Sequence, residues 1–262
     1  MEYVPLQLPY FAPLSSLPAP LPSFEEIKSV APSSYSLDRL IIPIGQHFVV
    51  KLGTGIRTLE GENMLFVRNH SNVRVPTVYA IYKHGDVTVI IMEQIQGKPL
   101  SSVNPVEDQS ISEKLRKQVN ELRKIPPPGY YGSLGRRPYN SVLFGSRLGP
   151  FVHLNDFHDS FLHVWDQGLV VGDPSGDARS SVQRRFRELA ERHGKPVFTH
   201  GDLAPRNILY LPDGSLCIID WETAAWYPLY WEYLESCRFN DHVDFLEKFS
   251  EERELLNELW HL

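Results

Sequence analysis

The sequence is poor in the features that mark secreted, membrane-spanning and nucleic-acid-binding proteins. It has only 2 cysteines in 262 residues, too few for a disulfide framework. No apolar run approaches the roughly 18 residues that a membrane-spanning helix needs, and no secretory signal pattern opens the chain. Lys and Arg number 26 against 32 for Asp and Glu, without a long basic run. These absences favour a reduced, cytoplasmic protein with neither nucleic acid nor membrane as a partner.

Proline, in contrast, is plentiful and concentrated at the N-terminus. Residues 1 to 32 contain seven prolines. Because proline removes a backbone donor and interrupts helices and central strands, we expect residues 1–35 to form an extended arm or tail without a regular helix. A proline-rich ligand for a partner domain is the alternative, but no P-x-x-P motif with flanking basic residues supports it.

The segment from residue 36 to 92 predicts a small antiparallel sheet that carries one helix. Gly45-Gln46 and His84-Gly85-Asp86 each separate two apolar runs, as turns of β-hairpins do. The helix candidate lacks proline and has apolar residues at helical intervals. The expected elements are strands at 40–44, 47–52, 77–83 and 87–92 and a helix at 57–69. We interpret this segment as an N-terminal nucleotide-binding lobe, followed by a connector over residues 93–100.

The remaining chain, residues 101–262, predicts a larger and mainly helical C-terminal lobe. Ser110, with Glu113 three residues later, has the spacing of a helix-capping box. We expect a first helix that begins near Ser110. Four more are expected, at residues 155–167, 180–193, 228–238 and 242–259. The fold class predicted from this order is α+β, with a small β-rich lobe and a larger helical lobe.

The most informative motif is His200-Gly201-Asp202, followed by Asn207 and then Asp220. The protein kinase version of this pattern is H-R-D-x-x-x-x-N and a later D-F-G. The first Asp there positions the acceptor hydroxyl and takes its proton, and the Asn and second Asp hold magnesium on the nucleotide phosphates. An Asp213-Gly214 turn between two apolar strands predicts a hairpin that brings Asn207 and Asp220 together. We therefore predict Asp202 as the catalytic residue and Asn207 and Asp220 as Mg²⁺ ligands.

A kinase-type site also needs a cation for the α and β phosphates and a carboxylate that orients it. Lys51 ends the strand His47–Lys51, which is similar to the V-A-I-K strand of kinases. The next helix offers Glu60 and Glu62, which lie about 200° apart around the helix axis, so both cannot face Lys51. Helix geometry alone does not choose between them; the pattern E-x-x-x-L-x-W-L of related proteins places Glu60 at the pairing position, so we predict Glu60 as the partner.

The rest of the nucleotide pocket is less well marked. Gly45 occupies the place of a phosphate-covering loop, although the G-x-G-x-x-G pattern is missing. Backbone groups of Glu93 and Ile95 are the expected hydrogen-bonding partners of adenine. Met92 lies beside the pocket in this interpretation, and simple core packing of Met92 is left open as the alternative.

Taken together, these residues resemble the aminoglycoside phosphotransferase family, which has the protein-kinase-like fold and is related to choline kinases. The stretches that carry the resemblance are 49–53, the Glu60 helix up to Val75-Pro76, 91–93, 198–208 and 219–222, and the segment 221–232 is similar to an uncharacterised branch common in fungi. The resemblance implies the same roles for Asp202, Asn207, Asp220, Lys51 and Glu60. It also implies ATP or GTP and Mg²⁺ as cofactors.

The sequence constrains the acceptor less than the nucleotide. The expected substrate is a small molecule with a hydroxyl group, and residues 221–262 carry ten acidic and three basic side chains among many aromatic ones. Acidic and aromatic groups suit a cationic acceptor, but the same aromatics could fill a core. A non-catalytic nucleotide-binding or protein-interaction member of the fold is the alternative function. A protein kinase is less favoured because Trp221-Glu222 replaces Phe-Gly and no A-P-E motif follows.

Overall fold

The computed structural model describes residues 3–31, 38–103, 110–140, 148–167, 177–237 and 245–261. The described chain divides into two compact units. We call residues 4–103 and 206–222 the sheet unit, and residues 1–3, 104–205 and 223–262 the helical unit. Antiparallel sheets and helices occur together, so the predicted α+β class is confirmed.

The strands are β1 (Tyr10–Phe11), β2 (Leu40–Ile44), β3 (Phe48–Gly53), β4 (Val78–His84), β5 (Val87–Glu93), β6 (Lys98–Pro99), β7 (Pro196–Thr199), β8 (Ile208–Tyr210), β9 (Leu216–Ile218) and β10 (Ala225–Pro228). The helices are α1 (Phe24–Val30), α2 (Thr58–His70), α3 (Ile111–Arg123), α4 (Leu154–Gln167), α5 (Asp177–Glu191), α6 (Trp231–Ser236) and α7 (Ser250–His261). The predicted helix at 57–69 and all four predicted strands between 40 and 92 are confirmed.

The sheet unit is built on a five-stranded antiparallel sheet in the order β1-β4-β5-β3-β2. Both predicted hairpins form, since β2 pairs with β3 and β4 with β5 in antiparallel register. Gly45 and Gly85 adopt φ values of 61° and 60°, which explains why glycine occupies these turns.

Helix α2 packs closely on this sheet. A Cβ added at Gly61 would lie 2.5 Å from Ile81 Cδ1 of β4, so glycine permits the close approach. Its neighbours Glu60 and Glu62 are both buried, as is Lys51 on strand β3. The helix–sheet contact therefore brings charged side chains into the interior of the unit.

The N-terminal arm is not a tail, and the prediction that it contains no regular helix is wrong. Helix α1 begins after Ser23, whose hydroxyl accepts from the Glu26 backbone N–H while the Glu26 carboxylate accepts from the Ser23 N–H. This capping box satisfies exposed donors at the helix start despite the prolines nearby. Ile27 of α1 is fully buried with residues of the sheet, and β1 pairs with β4. The arm thus supplies part of the core of the sheet unit.

The predicted hairpin also forms, as β8 and β9, and β6 pairs with β8. The Ile218 N–H donates to the Arg74 carbonyl at 3.1 Å, which joins the hairpin to the segment between α2 and β4. This bond explains why the hairpin clusters with the sheet unit, whereas the sequence-based boundaries placed it in a lobe spanning residues 101–262.

In the helical unit, helices lie where the sequence predicted them, with three differences. The Ser110 side chain makes no capping hydrogen bond at the start of α3, so the predicted capping box there is wrong. Helix α6 is shorter than predicted because residues 225–228 pair as β10 with β7. Helix α7 begins at Ser250, and residues 242–244 of the predicted last helix lie outside the described residues.

Candidate active site

A buried lysine between two carboxylates forms the centre of the site in the sheet unit. Lys51 Nζ lies 2.5 Å from Glu60 Oε1 and 2.8 Å from Asp220 Oδ1. Strand β3 directs Lys51 toward α2, the first turn of α2 supplies Glu60, and the exit of the β8–β9 hairpin supplies Asp220. The Lys51 side chain is 8% exposed and that of Glu60 is 2%, so this pair is desolvated. Only Asp220 reaches solvent appreciably, at 28%.

The charged groups in this cluster shift one another's pKa values. Burial alone would lower the pKa of Lys51, but the nearby Glu60 and Asp220 carboxylates raise it above its ordinary value. Burial raises the pKa of Glu60 to about 7, although Lys51 acts in the opposite direction. Lys51 therefore stays protonated and supplies an ammonium group beside the Glu60 and Asp220 carboxylates.

Glu60 rather than Glu62 pairs with Lys51, as the pattern of related proteins predicted. Glu62 instead accepts a hydrogen bond at 2.9 Å from Thr58 Oγ1, one turn earlier on the same helix. The geometry of the Lys51–Glu60 pair is thus established, while its role in holding nucleotide phosphates stays a prediction.

Asn207 and Asp220 lie at the same end of the hairpin. Ile208 pairs with Ile218, and the Ile219 N–H donates to the Asn207 carbonyl at 2.9 Å, so Asp220 follows directly after this contact. Asn207 is buried, and Asp220 has a φ of 65°, which few residues other than glycine adopt. One amide and one carboxylate oxygen form a donor set that suits Mg²⁺, which takes its other ligands from phosphate and water. Within the described parts of the chain, no group of three or more His, Cys, Asp or Glu side chains forms a metal cluster.

The loop that carries Asp202 follows strand β7 in the helical unit. Gly201 has a φ of 79°, and a Cβ added there would lie 3.0 Å from the Thr223 carbonyl oxygen. Thr223 Oγ1 donates to the His200 carbonyl at 2.8 Å, and the Ala204 N–H donates to the Asp202 carbonyl at 2.8 Å. His200 is fully buried, while Asp202 is partly exposed. The loop is therefore fixed by its backbone, with the Asp202 carboxylate accessible.

Glu232 is a residue of this loop's environment that sequence reasoning missed. Its carboxylate accepts from the backbone N–H groups of His200 at 2.7 Å and Gly201 at 3.2 Å. Burial raises the pKa of Glu232 to about 7, and these hydrogen bonds act against the rise. In the sequence, Glu232 is marked only as an acidic residue. Nothing there shows that the backbone N–H groups that it accepts from lie 32 and 31 residues earlier.

The predicted connector is more constrained than expected. The Glu93 N–H donates to the Thr77 carbonyl and the Gln94 N–H to the His47 carbonyl, so neither donor is available to a base. The Glu93 carboxylate is also engaged, by the Thr77 N–H and hydroxyl. Met92 is 5% exposed within the sheet. Adenine recognition through Glu93 and Ile95, with Met92 beside the pocket, stays a prediction, and at Glu93 it is limited to the carbonyl group. The role of Gly45 in covering the phosphates also stays a prediction.

The aromatic residues that suggested a cationic acceptor are core residues. Each has between 0% and 4% of its surface exposed: Trp221, Trp226, Tyr227, Tyr230, Trp231 and Tyr233. Tyr227, for example, stacks on Tyr139 at 4.4 Å and on Trp231 at 5.2 Å between ring centroids. Rings that bury their faces against one another cannot offer them to a cation, so this argument for a cationic acceptor is wrong.

A sequence model described as the phosphotransferase enzyme family (APH) matches residues 53–254. The match covers most of the chain, including Glu60, Asp202, Asn207 and Asp220. The chain belongs to the phosphotransferase enzyme family. Lys51 lies two residues before the matched segment, and the hairpin with its metal-ligand candidates lies well within it. No curated protein matches the sequence significantly.

Solved structures of this phosphotransferase family and of related kinases share the fold. A thermostable mutant of aminoglycoside phosphotransferase APH(4)-Ia, in ternary complex with ADP and hygromycin B, is 15% identical with a TM-score of 0.54, covering 76% of this chain and 70% of its own. A putative fructosamine-3-kinase from Haemophilus somnus 129PT is 18% identical with a TM-score of 0.55, covering 87% and 75%. The streptomycin–ATP–APH(2″)-IIa ternary complex is 15% identical with a TM-score of 0.54, covering 87% and 76%. At these identities the likeness establishes the protein-kinase-like fold.

None of the helices in the described residues is both long and apolar enough to cross a membrane.

Proposed function

We propose that this phosphotransferase-family protein moves the γ-phosphate of ATP, or of GTP, to a hydroxyl group of a small molecule in a magnesium-dependent reaction. The observation that carries the proposal is the buried Lys51–Glu60 pair with Asp220 as its second carboxylate neighbour. Burying an ammonium group costs free energy, and packing alone would not require it. Because such perturbed groups cluster at functional sites, the burial of Lys51 favours a functional role. A fixed cation beside an accessible carboxylate is what a nucleotide–magnesium complex needs.

In this proposal Lys51 binds the α and β phosphates and Glu60 orients it. Because burial excludes water from the pair, the attraction between Lys51 and a phosphate oxygen is stronger than it would be on the surface. The ion pair with Glu60 also fixes the direction of a long, flexible side chain. The Asp220 carboxylate, now paired with Lys51, is exposed enough to be shared with a bound cation.

Asn207 and Asp220 would hold magnesium, and the hairpin that brings them together fits the ion's preference for few protein oxygens. When bound, magnesium neutralises charge on the β and γ phosphates. The chain's own contribution is to place one amide and one carboxylate oxygen at the same hairpin end, which the Ile219–Asn207 backbone bond fixes.

Asp202 would act on the acceptor. The acceptor oxygen bonds to the γ-phosphorus as the bond from that phosphorus to the bridging oxygen breaks and ADP leaves. The hydroxyl proton passes to the Asp202 carboxylate, late in the transfer. The buried His200 backbone and the Glu232 carboxylate hold the loop in place, so Asp202 does not have to be ordered when the substrate arrives.

The acceptor class rests on the family and on what its structural relatives bind. Two of those relatives were crystallised with an aminoglycoside, hygromycin B or streptomycin, and a third is a putative fructosamine kinase. All of these compounds are hydroxyl-rich small molecules. We propose an acceptor of this kind, and the buried aromatic rings give no support to a requirement for positive charge.

A screen of hydroxyl-bearing small molecules with ATP labelled at the γ-phosphate tests the proposal. We expect the wild-type protein to transfer label to at least one acceptor. Asp202→Asn should reduce turnover by about 10²- to 10⁴-fold, the usual contribution of a general base. Its affinity for magnesium-ATP should stay within about twofold, because Asp202 lies outside the phosphate-binding cluster.

Two results would contradict the proposal. Retained turnover in purified Asp202→Asn would remove the catalytic role of Asp202. Tight binding of magnesium-ATP by the wild type, without transfer to any acceptor or to water, would favour the non-catalytic alternative. Asp86→Asn is the matched control, because Asp86 is an exposed turn residue of the β4–β5 hairpin and its change should leave turnover unaltered.

A further inference from the structure

The backbone of Asp220 is unusual and must be held by its surroundings. Its φ of 65° lies in the left-handed region, where residues other than glycine are uncommon and persist only when neighbouring structure determines them. The residues that follow, Trp221–Thr223, form a short 3-10 helix. Whatever fixes Trp221 and Glu222 therefore also sets the direction in which the Asp220 carboxylate points.

Asn63 of helix α2 makes a direct contact with this segment. Its Nδ2 donates to the Trp221 carbonyl at 2.8 Å, and Asn63 is fully buried. A buried hydrogen bond to a main-chain carbonyl fixes the backbone rather than a side chain, and losing it leaves a buried acceptor unsatisfied. Asn63 thus acts on the peptide unit that comes directly after the Asp220–Trp221 bond.

Two further contacts hold the same segment. The Trp221 indole N–H donates to the Ile218 carbonyl at 2.8 Å, which closes the turn at the end of β9. Arg39 makes two hydrogen bonds to the Glu222 carboxylate, at 2.8 Å and 2.5 Å. This guanidinium–carboxylate geometry is more directional than a single ion pair. All of these residues belong to the sheet unit.

The position of Asn63 on α2 relates its contact to the candidate site. Glu60 and Asn63 are three residues apart, so they share one face of α2. Glu60 contacts Lys51, and Asn63 contacts the main chain beside Asp220, which itself contacts Lys51. One helix face therefore sets both the cation and the carboxylate of the candidate site.

We propose that Asn63 is a positioning residue for Asp220: through the Trp221 carbonyl it holds the hairpin exit in the left-handed conformation that presents the Asp220 carboxylate to the nucleotide-bound cation. Arg39, directly before β2, supports the same segment through Glu222. The nucleotide part of this inference rests on the proposed function, whereas the holding of the hairpin exit does not.

Hydrogen exchange in the absence of any ligand tests the holding directly. Asn63→Leu keeps the number and branching of the side-chain heavy atoms but cannot donate. We expect about tenfold faster exchange in the peptide covering Asp220–Thr223, with the β4–β5 hairpin unchanged. Asn69→Leu, an exposed position on the same helix, is the matched control and should leave exchange unaltered. Unchanged exchange in Asn63→Leu overturns the proposal, whatever the nucleotide results.

The second readout is how strongly magnesium improves nucleotide binding. The ratio of the ATP dissociation constant in EDTA to that in excess Mg²⁺ should fall about tenfold in Asn63→Leu. In an Asp220→Ala background the same change should have no further effect, because Asn63 acts through Asp220. A residue with only a packing role would lower the melting temperature without altering this ratio, and that outcome also overturns the proposal.

The two proposals fail in different ways. If the wild type binds no magnesium-ATP, the proposed function is wrong, and the exchange experiment still decides whether Asn63 holds the segment. If Asn63→Leu does not fold, the smaller Asn63→Ala, which also lacks the donor, replaces it in both experiments. Asn69→Ala then serves as control, and unchanged exchange and ratio in Asn63→Ala would overturn the proposal.

Discussion

At the residue scale, the burial of Lys51 explains why a substitution in the candidate site should destabilise the folded protein. Its ammonium group is buried with the Glu60 and Asp220 carboxylates, so removing any one of the three leaves charge without its partner. Breaking a buried pair by removing one member typically costs about 3–5 kcal/mol, whereas an exposed pair contributes little. Loss of function at these positions must therefore be read together with a measurement of folding.

Glu232 allows a prediction about pH. Its pKa in the folded protein is about 7, against an ordinary value of 4.5, because burial penalises the charged carboxylate. The folded state thus binds this proton more tightly than the unfolded chain does. The stability that the proton contributes is complete below about pH 4.5 and is lost as the pH rises through 7.

Glu232→Gln removes this titration, because the amide stays neutral. The free energy of unfolding of the wild type, relative to that of the variant, should fall by about 3 kcal/mol between pH 4.5 and pH 8. Urea denaturation at a series of pH values measures the difference. Glu251→Gln, at an exposed position of α7, should show a flat difference. A flat difference for Glu232→Gln as well would mean that its carboxyl group titrates normally.

At the element scale, helix α1 shows that a capping box can start a helix within a proline-rich segment. The Ser23–Glu26 capping box begins the helix within the proline-rich arm, and Ile27 then enters the core of the sheet unit. The arm stabilises the fold by this burial of apolar surface. An element that composition assigns to a tail is thus part of the core.

The pair Ile27 and Val30 tests this role of the arm. Ile27 is 0% exposed and Val30 is 54% exposed on the same short helix. Ile27→Ala should lower the free energy of unfolding by about 2–5 kcal/mol, the usual cost of truncating a buried aliphatic side chain. Val30→Ala should change it by less than about 0.5 kcal/mol. Equal effects of the two substitutions, measured by chemical denaturation, would show that the arm is peripheral.

At the scale of the whole molecule, the sequence predicted those features that local signals specify. The Gly45 and Gly85 turns marked two hairpins, and the 200° separation of Glu60 and Glu62 showed that only one of them could face Lys51. The order of Lys51, Asp202, Asn207 and Asp220 carried the family resemblance, which the match over residues 53–254 confirms. These features need only turn chemistry, helical periodicity and spacing.

Features that depend on long-range contacts could not be predicted. The pairing of β7 with β10, the Glu232 contact with the loop that carries Asp202 and the Asn63 contact with Trp221 join segments far apart in the sequence. Each involves an ordinary residue whose role follows only from its partner. The same limit applies to the aromatic residues of the C-terminal part, whose composition fits a binding surface and a core equally well until burial is known.

The central claim is that the Lys51–Glu60–Asp220 cluster is the phosphate-binding part of a kinase-type site. Calorimetric titration of magnesium-ATP into wild-type protein and Lys51→Met, with folding of both verified, tests it most directly. The exposed Lys83→Met is the matched control. We expect the wild type and the control to bind alike and Lys51→Met to bind at least about tenfold more weakly, since the ammonium group is removed from the phosphates. Equal affinity of Lys51→Met and wild type would contradict the account.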